Sequence, residues 1–174
     1  MKKNDFNQSD GLEGEAEETR TGLDQTGVTE ISTGLRILLA DVFALYVKTK
    51  NFHWHLSGAH FRDYHLLFDE QAEQIFAISD EVAERARKIG GFTLRSISDI
   101  SRHQAIKDNN AEFVPAKDMI AELGGDNCEL VQSLRRTHEV CERYNDVATT
   151  SLIENWINEA ERRVWFLSEI EGGL

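Results

Sequence analysis

A single proline interrupts the 174 residues of this chain, and apolar residues recur at intervals of three and four over four long segments. Side chains with this spacing lie on one face of an α-helix, and four such faces can bury a common core. We predict helices over residues 28–55, 59–89 and 148–170. The third helix begins near Pro115, is expected to break at Gly124-Gly125, and restarts at Asp126.

Gly90-Gly91 marks the end of the second predicted helix, and residues 92–114 form a long connection with a short helix near 98–105. A crossover of this length lets the second and third long helices run parallel, as they do in ferritin-like four-helix bundles. The sequence therefore predicts an all-α fold of that class.

The first 27 residues differ in composition from the rest. They hold seven acidic residues against three basic ones, four glycines and few apolar residues, which is typical of a disordered tail. We therefore assign residues 1–27 to an acidic disordered tail and residues 28–174 to one helical domain.

The overall charge and the cysteines limit the class of protein. A formal net charge of −12 favours attraction of cations and argues against general binding to nucleic acid or anionic membranes. No apolar segment is long enough to span a bilayer, and no signal peptide is visible. Cys128 and Cys141 are interpreted as reduced structural thiols, so a cytoplasmic protein is expected.

His65, Asp69, Asp80 and Glu84 share one face of the second predicted helix, within an arc of about 100°. Asp69 and Asp80 are eleven positions apart, which is roughly 16 Å along a helix axis. Metal–ligand bonds of about 2 Å do not span that gap. The four residues therefore predict two half-sites, His65/Asp69 and Asp80/Glu84.

A second copy of the chain would complete the site. If its helix crosses antiparallel near residues 74–75, the His65/Asp69 half of one chain meets the Asp80/Glu84 half of the other, and two-fold symmetry generates two identical sites. The spacing thus predicts a metal centre and a homodimer interface together.

His53, at the end of the first predicted helix, is expected to join the His65/Asp69 half. Two imidazoles and up to three carboxylates suit Fe(II), with Zn(II), Mn(II) and Co(II) as alternatives. The chain has no Glu-x-x-His, the spacing used by di-iron centres built inside one bundle. Either pair alone is more typical of a solvated helix surface, but both pairs on one face with His53 nearby favour a metal site.

Residues 50–70 read KNFHWHLSGAHFRDYHLLFDE, followed by DEVAER at 80–85 and IGG at 89–91. The combination of His-Trp, Gly-x-x-Phe-x-x-x-His-x-x-x-Asp and Asp-x-x-x-Glu-Arg resembles the signature of the Dps family of ferritin-like mini-cages. Trp165-Phe166 is similar to the family's last helix, so the resemblance extends over about residues 28–171.

The resemblance implies a ferroxidase that oxidises Fe(II), preferentially with hydrogen peroxide, and stores Fe(III) mineral in a twelve-subunit shell, as a stress-response protein. It implies His53, His65 and Asp69 as ligands from one subunit and Asp80 and Glu84 from its two-fold partner, with no organic cofactor. Two roles stay open for Trp54: oxidation of its indole in place of released radicals, or interface packing.

DNA compaction is the alternative function, since many relatives bind DNA through lysine-rich tails. Here the N-terminal tail is acidic, and the last four residues add no base. Arg135/Arg136 and Arg162/Arg163 are expected to be salt-bridged surface pairs, so we predict weak or absent DNA binding. A catalytically inactive structural bundle is a third hypothesis, against which the complete ligand set argues.

Overall fold

The structure is a computed structural model that describes residues 21–173. These residues form six α-helices and no β-strand, which confirms the all-α fold. The helices are α1 (Gln25–His55), α2 (Phe61–Ala77), α3 (Ser79–Lys88), α4 (Ile97–His103), α5 (Ala116–Arg143) and α6 (Val147–Glu171). The bundle comprises α1, the α2–α3 pair, α5 and α6, and the short α4 lies in the crossover between α3 and α5.

Side-chain pairs give the direction of the first two long helices. Lys50, near the end of α1, contacts Asp69 of α2, whereas Tyr46, one turn earlier, packs its ring 4.8 Å from that of Phe76. Moving back along α1 therefore moves forward along α2, so the two helices are antiparallel.

The same comparison places α5 parallel to α2. Lys48, in the second half of α1, pairs with Asp126 in the first half of α5, whereas Gly27 at the start of α1 packs against Tyr144 at the end of α5. Both α2 and α5 thus run antiparallel to α1. The long crossover and parallel helices predicted from the sequence are confirmed.

The predicted apolar stripes form the core. Two predicted members, Tyr46 and Ser79, are only partly buried. The others in α1, α2 and α3 have relative exposures of 0–1%, and these include Ile31, Leu35, Leu38, Val42, Leu45, Phe68, Ala72, Ile75, Val82 and Ala86. No helix within residues 21–173 is long and apolar enough to cross a membrane.

The first helix begins earlier than the composition suggested. Asp24 caps it by accepting a 2.7 Å hydrogen bond from the backbone N–H of Gly27, so Gln25 and not Val28 is its first residue. The predicted helix start at Val28 is therefore three residues late. Most of the predicted disordered tail, residues 1–20, lies outside the described part of the chain.

The second long helix is divided, which the periodicity did not predict. It starts at Phe61 rather than at Ala59, because His60 adopts a left-handed φ of 59°. It is interrupted at Ile78, whose N–H bonds to Phe76 O instead of continuing the i to i−4 ladder. The ladder resumes with the 3.0 Å bond from Val82 N–H to Ile78 O.

The predicted stop at Gly90-Gly91 is confirmed, since α3 ends at Lys88 and Gly90 has a φ of 91°. Gly91 also packs directly against α1, where a Cβ would lie 2.2 Å from Cβ of Ser32. Only glycine allows this close approach.

The predicted break at Gly124-Gly125 is wrong, because α5 continues through both glycines. Asp126 does not cap a new helix; it binds Nζ of Lys48 at 2.6 Å. The 5% exposed Lys48 also contacts Glu122 at 2.9 Å. Leu123 and Leu130 are buried on either side of the two glycines, and this packing offsets the roughly 1 kcal/mol that each glycine costs a helix.

The crossover is fixed to the bundle by Asp41, a fully buried residue of α1. Its Oδ1 accepts hydrogen bonds from the backbone N–H groups of Ala105 (2.6 Å) and Ile106 (3.0 Å). Burial raises the pKa of this carboxyl group, although the two backbone bonds oppose the shift. The short helix predicted near residues 98–105 is present as α4.

The expectation for the paired arginines holds for three of the four. Arg135, Arg136 and Arg162 lie on the surface beside acidic partners. Arg163 is instead 3% exposed and donates from Nε to Asn127 Oδ1 at 2.8 Å, and burial lowers its pKa to about 10. Predicting it as a surface salt bridge was wrong, because its position on α6 faces α5.

Both cysteines are free thiols, as expected.

Candidate metal centre

His53 and His65 are held face to face by each other's backbone. Nδ1 of His53 lies 2.8 Å from the carbonyl oxygen of His65, and Nδ1 of His65 lies 3.0 Å from the carbonyl oxygen of His53. The two rings stack with centroids 3.8 Å apart and an interplanar angle of 19°. The end of α1 and the first turn of α2 thus fix both imidazoles.

These contacts determine the tautomer of each ring. A carbonyl oxygen only accepts, so each Nδ1 carries the hydrogen and donates it. In the neutral imidazole the lone pair is then on Nε2, the atom that can bind a metal. A backbone carbonyl on the other ring nitrogen is the usual support of a metal-binding histidine. His53 and His65 therefore fit the role predicted for them.

Asp69 lies beside this pair, on the next turn of α2. Its Oδ1 is 3.9 Å from Nε2 of His53 and 2.5 Å from Nζ of Lys50. The Lys50 hydrogen bond is the main reason that the pKa of Asp69 is held below its ordinary value. Two imidazole nitrogens and an ionised carboxylate form a donor set that suits Fe(II). In this structure the carboxylate of Asp69 is hydrogen-bonded to Lys50.

Asp80 and Glu84 lie in α3, beyond the interruption at Ile78, and both are exposed. Glu84 pairs with Lys88 at 2.9 Å, one turn further along the same helix. Within residues 21–173, no three His, Cys, Asp or Glu side chains of one chain are arranged to hold a metal ion. The predicted ligands thus occur as separate groups in a single chain.

Large apolar side chains lie exposed around the histidine pair. Trp54 is 63% exposed, Leu66 50% and Phe61 44%, and the ring of Phe61 stacks on His65 at 4.9 Å. Further along α2, Phe76 is 45% exposed. An apolar surface of this kind is typical of a protein–protein contact.

The sequence pattern did not identify Lys50 or Phe61 as residues of this site. Lys50 precedes His53 by three positions on α1, so helical spacing places both on one face, a signal that was available. Phe61 stood out only as part of the motif. Its ring contact depends on the angle between α1 and α2, which spacing does not give.

Comparison with known proteins agrees with this architecture. Residues 33–172 match the ferritin-like domain family. The chain is 28% identical to DNA protection during starvation protein 1 of Deinococcus radiodurans, over 85% of this chain and 72% of that protein. It is 32% identical to a low temperature-induced protein of Nostoc sp., over 77% of this chain and 76% of that protein.

Solved structures of Dps proteins have the same fold as this chain. A Dps protein from Vibrio cholerae O1, a member of a broad superfamily of ferritin-like diiron-carboxylate proteins, superposes with a TM-score of 0.83 at 26% identity. The match covers 89% of this chain and 98% of the Vibrio chain. A Dps homologue from Halobacterium salinarum has a TM-score of 0.84 at 25% identity, covering 97% and 92% of the two chains.

The bundle, its crossover and the histidine–carboxylate cluster define a ferritin-like protein. Within that class, the chain belongs to the Dps family.

Proposed function

We propose that this protein is a ferroxidase and iron-storage protein that protects its cell against oxidative damage. The observation that carries the proposal is the reciprocal arrangement of His53 and His65, which engages Nδ1 of both rings with backbone carbonyls and leaves Nε2 of His53 3.9 Å from Oδ1 of Asp69. A His–Asp pair on a helix surface does not require a second imidazole, nor backbone carbonyls that fix both rings in place. Iron is the substrate of this centre.

The proposed centre is shared by two subunits. His53, His65 and Asp69 supply one half, and Asp80 and Glu84 of a second copy supply the other. Asp69 and Asp80 of one chain are separated by roughly 16 Å of helical rise, so neither half completes the other within a chain. The exposed apolar residues beside the histidines support burial of this face in a two-fold dimer.

Family membership supports extending the dimer to a closed shell of twelve subunits, with ferric mineral inside. The formal net charge of −12 per chain favours delivery of cations to such a shell. We propose no organic cofactor for the reaction.

The proposed reaction uses hydrogen peroxide in preference to oxygen. Two Fe(II) ions each give one electron to one peroxide molecule, whose O–O bond breaks to leave two hydroxide ions and two Fe(III) ions. The imidazoles and carboxylates hold the two ions near each other, so that both electrons reach the same peroxide. Transfer of a single electron would instead release hydroxyl radical.

Trp54 follows His53 directly, and its indole is exposed in the single chain. Two roles remain for it in the proposed dimer: an oxidisable group beside the centre, or an apolar contact across the interface. Trp54→Phe retains the apolar contact and removes the easily oxidised indole. Increased radical trapping with unchanged assembly would support the first role, and unchanged trapping would support the second.

An anaerobic Fe(II) titration tests the proposed function. The assembled protein should bind Fe(II) with a fixed stoichiometry, and addition of peroxide should oxidise two Fe(II) per peroxide faster than oxygen does, followed by absorbance. His65→Ala should remove the fast phase while the bundle stays folded. Oxidation at the rate of free Fe(II) in the wild-type protein would contradict the proposal.

A further inference from the structure

A second polar site lies where the crossover meets α1, and none of the proposed iron ligands lines it. A cleft of about 460 Å³ is formed there by Arg36 of α1 together with crossover residues that include Thr93, Arg95 and Arg102. A cleft of this size admits a small molecule or ion.

The cleft is positively charged in an otherwise acidic protein. Its one carboxylate, Asp99, is paired with Arg102 at 2.7 Å and accepts a 3.1 Å hydrogen bond from the backbone N–H of Arg95. The guanidinium of Arg95 lies 5.4 Å from the ring centroid of Phe92, which keeps it at the cleft. The charges of Arg36 and Arg95 have no carboxylate partner within residues 21–173, which leaves a net positive site.

Two buried polar atoms of lining residues lack partners. Nε of Arg36 and Oγ1 of Thr93 are both inaccessible to solvent and make no hydrogen bond with any described residue. An unpaired buried polar group destabilises the folded state, so native proteins satisfy such groups with a ligand or with water. Arg36 and Thr93 belong to separate elements, yet both line the same cleft.

We propose that this cleft binds a small tetrahedral oxyanion of the phosphate class. Planar guanidinium groups match such oxyanions with paired charge-assisted hydrogen bonds, and a threonine hydroxyl supplies a further donor. The occupant is a small anion and not a nucleic acid, because the cleft has room for only a small molecule and the formal net charge of −12 on the whole chain disfavours a polyanion. The proposal does not depend on the iron site.

Calorimetric titration of the assembled, phosphate-free protein with inorganic phosphate tests this assignment. We expect saturable binding of one phosphate per chain. Arg36→Gln should weaken it by tenfold or more, whereas Arg36→Lys should weaken it less, because the charge remains and the bidentate geometry is lost. The matched control is Arg135→Gln, which removes an exposed arginine paired with Glu161 and should leave phosphate affinity unchanged.

Thr93→Val separates a ligand role from a structural one. If the hydroxyl contacts the anion, phosphate affinity should fall by about threefold to tenfold, as expected for loss of one such hydrogen bond. Unchanged phosphate affinity together with higher thermal stability would show an unused buried hydroxyl and would contradict the assignment of Thr93.

Competing ligands identify the source of the oxyanion. Tighter binding of a phosphomonoester such as glucose 6-phosphate than of free phosphate would support the proposal and indicate an organic phosphate. Three results would overturn it: no saturable phosphate binding, equal losses in Arg36→Gln and Arg135→Gln, or displacement of phosphate by acetate at equal concentration. Displacement by a short DNA duplex at lower concentration would also overturn it, in favour of a nucleic-acid contact.

Discussion

Lys50 donates a 2.5 Å hydrogen bond to Oδ1 of Asp69, the carboxylate nearest to Nε2 of His53. The ammonium group thus occupies the position at which a cation would meet this carboxylate. A metal ion that binds Asp69 must displace Lys50 or use the other carboxylate oxygen. We therefore expect Lys50 to stabilise the metal-free site and to compete with a metal ion.

Lys50→Met removes the ammonium group and retains an aliphatic side chain. The affinity for Zn(II), a probe that is not oxidised, should increase about twofold to fivefold, which corresponds to an exposed ion pair of up to about 1 kcal/mol. Asp69 is 39% exposed, so a larger gain is not expected. Anaerobic Zn(II) titration measures the change, with the exposed crossover residue Lys107→Met as the control.

The same variant has a predicted pH dependence. Lys50 lowers the pKa of Asp69, so in Lys50→Met this pKa should rise toward its ordinary value of about 3.9. An NMR titration of the Asp69 carboxyl group in the two metal-free proteins measures this rise. Weaker Zn(II) binding at neutral pH would show that Lys50 supports the metal site instead of competing with it.

Mixed dimers test whether the centre is shared. A dimer of one His65→Ala chain and one Asp80→Ala chain contains one site with both lesions and one site with two intact halves. Such dimers should recover about half of the wild-type centres, whereas either homodimer has none. Stopped-flow Fe(II) oxidation on co-expressed, doubly tagged assemblies makes the measurement. Verified mixed dimers with no recovered activity would mean that each chain builds its own centre.

DNA binding provides a second test of function. The described basic residues Arg135, Arg136 and Arg162 have acidic partners, and the tail preceding α1 is acidic. Plasmid mobility should therefore be unchanged at about 0.15 M salt, with at most weak retardation at low salt. Condensation of DNA at that salt concentration would contradict the charge argument. An effect that requires Mg²⁺ would indicate bridging between two polyanions.

Asp41→Asn tests the anchor of the crossover. The folded-state pKa of Asp41 is raised, mainly by burial, so its contribution to stability is greatest below the ordinary pKa of about 3.9 and is lost as pH rises through the folded value. The wild type should therefore lose stability relative to Asp41→Asn as pH rises from about 4 toward neutrality. The difference between their free energies of unfolding should then level off. Denaturant titrations across this range measure the difference; an increase with pH would contradict the assignment.

Two helical glycines should respond in opposite directions to alanine. At Gly125 an added Cβ meets no atom within 4 Å, so Gly125→Ala should stabilise the folded protein by about 0.5–1 kcal/mol. At Gly34 an added Cβ would lie 2.8 Å from Cγ2 of Thr137, so Gly34→Ala should destabilise it. Thermal unfolding of both variants compares them directly. A destabilised Gly125→Ala would show that this face of α5 is covered in the assembly.

The sequence alone determined the features that depend on spacing along one helix. Apolar residues such as Phe68, Ala72 and Ile75 lie on one helical face and are buried together. The end at Gly90-Gly91 followed from local backbone preference. Spacing also predicts that Asp69 and Asp80 are too far apart for one site, and the structure places them in different helices, α2 and α3.

Tertiary contacts decided the rest, because they depend on side chains that are distant in sequence. Local preference favoured a break at Gly124-Gly125, but burial of Leu123 and Leu130 against the rest of the bundle keeps α5 continuous. No glycine or proline marks the interruption at Ile78, so the spacing of apolar residues did not predict it. The reciprocal bonds of His53 and His65 require α1 and α2 to meet at one separation and angle, and helical spacing specifies neither.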